Sequence, residues 1–186
     1  MKLIIISSPI KMLNEQEIIN SLFEAGMEVF QVHKPLFSEK EIQNYIQKIP
    51  AKYHNKITLH SQYLKFHSLK ELEVCKEKYE YVFLSPIFDS ISKSGYKSAF
   101  DLDELKNSPL IFSRRGAGGE VFALGGIDED KIELVSELGF DGVGVLGALW
   151  SNKNPIEKFK QLFSLCNSIE APDRVSNPVR VNTLNQ

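Results

Sequence analysis

Short runs of consecutive apolar residues alternate along this chain with segments whose apolar residues recur every three or four positions, the signature of strands and crossover helices in a parallel sheet. Leu3 to Ser7, with Ile4, Ile5 and Ile6 in a row, reads as a strand covered on both faces. The next pattern, Glu15 to Ala25, carries Ile18, Ile19, Leu22 and Phe23 at helical spacing, with Asn14 as its expected cap and Gly26 ending it. Val29 to Val32 is the second strand. Ser38 opens a second helix and Glu41 completes a capping box, with Ile42, Tyr45 and Ile46 as the apolar stripe. Ile57 to His60 is the third strand, and Ser68 to Tyr79 a helix with Leu69, Leu72 and Cys75 on one face. Tyr81 to Leu84, Val121 to Leu124 and Gly142 to Leu146 are further strands; Phe100 to Lys106, Glu129 to Leu138 and Pro155 to Asn167 are helices. Ser113 to Gly119 suits neither and reads as a loop. Residues 1–169 therefore form one domain. Residues 170–186, with Pro172, Pro178 and no apolar period, read as a disordered tail.

Composition narrows the class without naming it. The 186 residues are 42% apolar and 25% charged, ordinary for a globular domain. A formal charge of −2, with both signs mixed throughout, gives no general attraction to nucleic acid or anionic lipid. Any anion site has to be local. Cys75 and Cys166 lack partners at metal-ligand spacing, and the N-terminal apolar run is too short for a signal peptide or a membrane span. The expected location is the cytoplasm.

Two stretches suggest where that local site lies. Ala123-Leu124-Gly125-Gly126-Ile127 and Val143-Gly144-Val145-Leu146-Gly147-Ala148 each run as a strand into glycine and then into a helical pattern. Glycine lets an anion approach the backbone, and adjacent strand ends can offer several N–H groups to one phosphate, as after the last two strands of a parallel α/β barrel.

The ordered set Tyr81-Val82-Phe83-Leu84-Ser85-Pro86-Ile87-Phe88-Asp89-Ser90-Ile91-Ser92-Lys93, then the two glycine stretches, resembles the thiamine phosphate synthase and thiazole tautomerase (TenI-like) superfamily. The resemblance implies a TIM-barrel-like (β/α) fold with its site at the C-terminal strand ends. It implies Lys34 and Lys93 as cations acting on a diphosphate, with His33 where the family has an Arg. It further implies Ser90 and Ser92 orienting a thiazole phosphate, and the backbones of Gly125, Gly126, Gly147 and Ala148 holding its phosphate. The small-molecule partners would be a thiazole phosphate and an aminopyrimidine diphosphate; a homo-oligomer is left open.

The departures shape the expectation as much. The family's acids that hold Mg²⁺ on the diphosphate are absent, since the third strand ends in His60-Ser61. Mg²⁺ is thus implied by resemblance alone, with no metal ligand to assign, and weak or absent turnover is expected. Only six strands are clear, where a closed barrel has about eight in at least roughly 200 residues. Phe66 to Ser68 reads as the remnant of another strand. Gln62 to Lys65 is too short for a right-handed crossover, so the barrel should be incomplete or irregular between strands three and six. Three functions follow: a transferase of thiamine synthesis, a thiazole tautomerase-like isomerase in which a His moves a proton, or a non-catalytic remnant that still binds phosphate.

Overall fold

The computed structural model describes residues 1–75, 77, 79–91, 95, 97–98, 100–108, 111 and 119–169. The sequence-predicted tail and most of the 113–119 loop lie outside these. Seven strands, β1 (Lys2–Ile6), β2 (Val29–Val32), β3 (Ile57–Leu59), β4 (Leu64–Phe66), β5 (Tyr81–Leu84), β6 (Glu120–Leu124) and β7 (Gly142–Val145), form one sheet in the order β3-β2-β1-β7-β6-β5-β4. Every pairing is parallel. The described α-helices are α1 (Glu15–Glu24), α2 (Glu39–Gln47), α3 (Leu69–Val74), α4 (Leu102–Asn107), α5 (Ile132–Glu137), α6 (Gly147–Trp150) and α7 (Pro155–Ser168).

The connection between β3 and β4 forces the sheet to curl. These strands are its two opposite edges, yet only residues 60–63 join them, folded partly as a 3₁₀ turn over His60–Gln62. Seven flat strands would set the edges about 29 Å apart, six spacings of roughly 4.8 Å. Five fully extended Cα steps from Leu59 to Leu64 reach at most about 18 Å. The sheet must therefore bend round into a barrel that stays unpaired on that side, the place where the sequence predicts an irregularity.

Strand periodicity then sorts the side chains into two cores. Leu3, Ile5, Phe30, Val32, Val82, Leu84, Val121, Ala123, Val143 and Val145 face the helical layer and belong to one buried cluster with Ile19, Leu22, Val135 and Phe159. The intervening positions, Ile4, Ile6, Tyr81, Phe83 and Phe122, form a separate cluster inside the curl. β7 puts glycine at its intervening positions because the aromatics occupy that space. A Cβ on Gly142 would sit 2.2 Å from Phe122 Cε1, and one on Gly144 2.8 Å from Phe83 Cε1. A barrel short of strands is thus filled by large rings against a strand without inward side chains.

Several local expectations need correction. β4 begins at Leu64, inside the stretch read as a bare connection, because three residues give too little period to detect. Asn14 is left-handed (φ 57°) and makes no side-chain cap, whereas Ser38 and Glu41 form the full capping box. The helix expected to run from Ser68 to Tyr79 stops at Val74, and half-buried Cys75 is its C-cap rather than a core thiol. Among the described residues no helix is long and apolar enough to cross a membrane.

Candidate functional site

Because all strands are parallel, the chain segments that leave their C-terminal ends gather on one face. The segment after β5 is pinned on the end of β6: Ile87 N–H donates to Leu124 O (2.9 Å) and Phe88 N–H to Gly125 O (3.0 Å). This close packing demands glycine. Gly125 has φ +95° and a Cβ there would lie 2.7 Å from Pro86 Cα; Gly126 has φ +68° and its Cβ would lie 2.3 Å from Asp89 O. After β7 the short helix α6 starts at Gly147 and is held by Trp150, whose Nε1–H donates 2.7 Å to Ile6 O. Between these strand ends opens a cavity of about 200 Å³, with Gly125, Gly126 and Gly147 in its wall. A wider groove between α3 and α4 is lined by Lys70 together with Glu73, Asp103 and Glu104, so acids outnumber the one cation there.

The opposite wall of the cavity is polar. His33, at the end of β2, and His60, at the end of β3, both line it, their rings 4.4 Å apart edge to face. His60 Nδ1 lies 2.9 Å from Gln31 Oε1, and Gln31 Nε2 donates 3.2 Å to Tyr81 Oη. Since the amide nitrogen of Gln31 faces Tyr81, its oxygen accepts, and His60 carries its proton on Nδ1. Burial first, then the neighbouring His33 and Lys65, push the His60 pKa down to about 4. The ring is neutral near pH 7, with Nε2 holding a lone pair.

Lys65 completes the lining, and it is the one lysine there among the described residues. Leu64 and Phe66 pack on the outer core, so strand alternation turns Lys65 inward, in register with Phe83 of the inner cluster. Among the described residues no carboxylate lines the cavity, and no group of three His, Cys, Asp or Glu side chains could hold a metal. The donor set present does not fit Mg²⁺, a hard cation that wants oxygen anions.

The sequence-predicted residues divide accordingly. His33, Ser90, Gly125, Gly126 and Gly147 share the cavity. Ala148 follows Gly147 in the first turn of α6; its side chain is buried and it is not among the residues that line the cavity. Lys34, expected to act on a diphosphate, is buried elsewhere: its Nζ pairs with Glu15 at 2.7 and 2.8 Å, donates to Ile10 O at 3.0 Å and stands 4.8 Å from the Tyr45 ring centre. Burial lowers its pKa, and Glu15 partly offsets that. Ser92 and Lys93 lie outside the described residues. Lys65 escaped notice; the signal that marks it is the polar residue between two apolar ones in Leu64-Lys65-Phe66.

A curled, all-parallel sheet with its cavity at the C-terminal strand ends defines a TIM-barrel-like α/β protein. No protein-family model matches the chain. It is 31% identical over 103 residues to the thiamine-phosphate synthase of Anoxybacillus flavithermus (52% of this chain, 41% of that protein) and 28% identical over 86 residues to that of Limosilactobacillus reuteri (46% and 38%). The match thus spans about two fifths of the curated relatives' length. The crystal structure of thiamine phosphate pyrophosphorylase from Bacteroides thetaiotaomicron superposes with a TM-score of 0.74 at 29% identity, over 90% of this chain and 98% of that one. The chain is thus similar to thiamine-phosphate synthases in sequence over about half of its length and in fold over nearly all of it.

Proposed function

We propose that the barrel-mouth cavity binds a phosphate ester and serves the joining of an aminopyrimidine diphosphate to a thiazole phosphate, with release of pyrophosphate. One observation carries the reading: the glycine backbones at the ends of β6 and β7 meet in a single cavity that a lysine also lines, in a chain similar to thiamine-phosphate synthases. The bond from the pyrimidine methylene carbon to the diphosphate oxygen breaks, its electron pair leaving with pyrophosphate. The thiazole nitrogen then supplies the pair for the new C–N bond. No protein nucleophile is required, so the protein's work is placement and charge.

In this reading the N–H groups of Gly125, Gly126 and Gly147 receive the thiazole phosphate, and the Ser90 and Ser92 hydroxyls orient the ring. His33 would act on the departing group from the cavity lining, and Lys93 is assigned the same task from the family resemblance alone. Lys34 is removed from the reacting set, because its charge is already spent on Glu15. The assay is pyrophosphate release, expected only when both substrates are present, alongside calorimetric titration with thiazole phosphate. Absence of thiazole phosphate binding would overturn the reading.

His60 favours a second reading. A neutral imidazole whose Nδ1–H is fixed by Gln31 presents Nε2 to the cavity as a base, as an isomerase shifting a proton on a thiazole phosphate carboxylate would need. That activity would follow one histidine's titration and need no Mg²⁺. Thiazole phosphate binding without either turnover would mark a binding protein.

A further inference from the structure

The inner face of the barrel carries a charge that neither the packing nor the reaction as described accounts for. Inward positions on β1, β5 and β6 are Ile4, Ile6, Tyr81, Phe83 and Phe122, while Lys65 projects an ammonium from β4 on the same side. β4 borders the unpaired gap, so this lysine stands at the open side of the mouth, in the same lining as the glycine backbones. The described lining offers it no carboxylate. The imidazoles beside it add no negative charge, and Lys65 itself contributes to holding His60 neutral. A strand-borne ammonium in a cavity whose described lining carries no acid and includes glycine backbones is complementary to a polyanion.

We infer that Lys65 is a cation that holds the diphosphate in this barrel, beside any contribution from Lys93, and that this chain binds that group without a divalent metal. The inference rests on the phosphate-ester reading above and deepens it. Two further facts point the same way: the described residues of the mouth do not suit Mg²⁺, and Lys34, one of the two lysines that the sequence resemblance places on the diphosphate, is neutralised by Glu15. A direct ammonium contact replaces the metal bridge, at a position where a solvent-reaching side chain can follow a leaving anion outward.

The test is calorimetric titration of the full chain with inorganic pyrophosphate, in EDTA and again with Mg²⁺, on the parent and on Lys65→Ala and Lys65→Arg. The parent should bind pyrophosphate in EDTA. Lys65→Ala should weaken that binding about tenfold or more, and Lys65→Arg should stay within about threefold, since a charge-assisted contact is lost in one and kept in the other. A second readout follows the His60 ring by NMR: pyrophosphate should raise its pKa in the parent by screening Lys65, and raise it less in Lys65→Ala. Binding seen only with Mg²⁺, or unchanged in Lys65→Ala, overturns the assignment. If thiazole phosphate still binds in that case, the phosphate-ester reading stands and Lys65 alone falls; if neither probe binds the parent, both fall.

Discussion

Two lysines near the top of this barrel live in opposite surroundings. Lys34 lies between the segments following β1 and β2, its side chain wholly buried, with both Glu15 oxygens and a backbone carbonyl around its ammonium. Lys65 points from β4 into the cavity, exposed, among imidazoles and backbone amides. The first region is a closed electrostatic circuit that fastens two segments; the second is an open one that awaits an anion. The same residue type is structural where its charge is met by the fold, and available for chemistry where it is not.

The largest effect should come from opening the closed circuit. Glu15→Ala leaves the Lys34 charge buried without its partner, and removal of one member of such a pair typically costs about 3–5 kcal/mol. Urea denaturation of Glu15→Ala should show that loss. Lys34→Met added to Glu15→Ala should recover a large part, since the stranded charge disappears. A Glu15→Ala protein as stable as the parent would make the Lys34 region no different from the mouth.

At the mouth itself, the glycine wall is built on backbone geometry rather than charge. Gly126→Ala places a Cβ 2.3 Å from Asp89 O at φ +68°, where side chains are strained. It should cost about 1–3 kcal/mol and displace the segment after β5. Thermal unfolding, together with the loss of phosphate-ester binding, checks this.

Acid should act on the polar wall more gently. The His60 pKa is about 4 in the folded chain against the ordinary 6.5, so between those values the unfolded chain binds more protons. Stability therefore rises with pH across that window, and as pH falls from about 6.5 to 4 the contribution is lost. The ring is partly solvated, so the full linkage value is reduced to about 1–2 kcal/mol. His60→Asn keeps a donor for Gln31 but cannot titrate; the difference in stability between it and the parent should change across that window and be flat above it.

How far the sequence carried can be read from particular residues. The parallel alternation, the Ser38 capping box, the glycines after β6 and β7 and the break after β3 were all legible, because each follows from local backbone demands or from a connection too short to cross over. The fate of Lys34 was not, since its partner Glu15 is on another element and only folding brings them together. Lys65 was hidden because a three-residue strand shows its inward side only when its neighbours are seen packing outward.

The smallest expected effect is the sharpest for the contrast between the two lysines. Lys65 reaches solvent and none of its hydrogen-bonding capacity is committed to a carboxylate of the cavity wall. Its replacement by alanine should shift stability by no more than about 0.5 kcal/mol, the usual range for surface positions. Removing its positive charge from beside His60 also relieves one cause of the lowered imidazole pKa, so that pKa should rise toward 6.5 in Lys65→Ala. Urea denaturation near neutral pH measures the first and an NMR titration of the His60 ring the second. If Lys65→Ala unfolds as readily as Glu15→Ala, this ammonium is held by the fold as firmly as that of Lys34, and the open circuit at the mouth is closed after all.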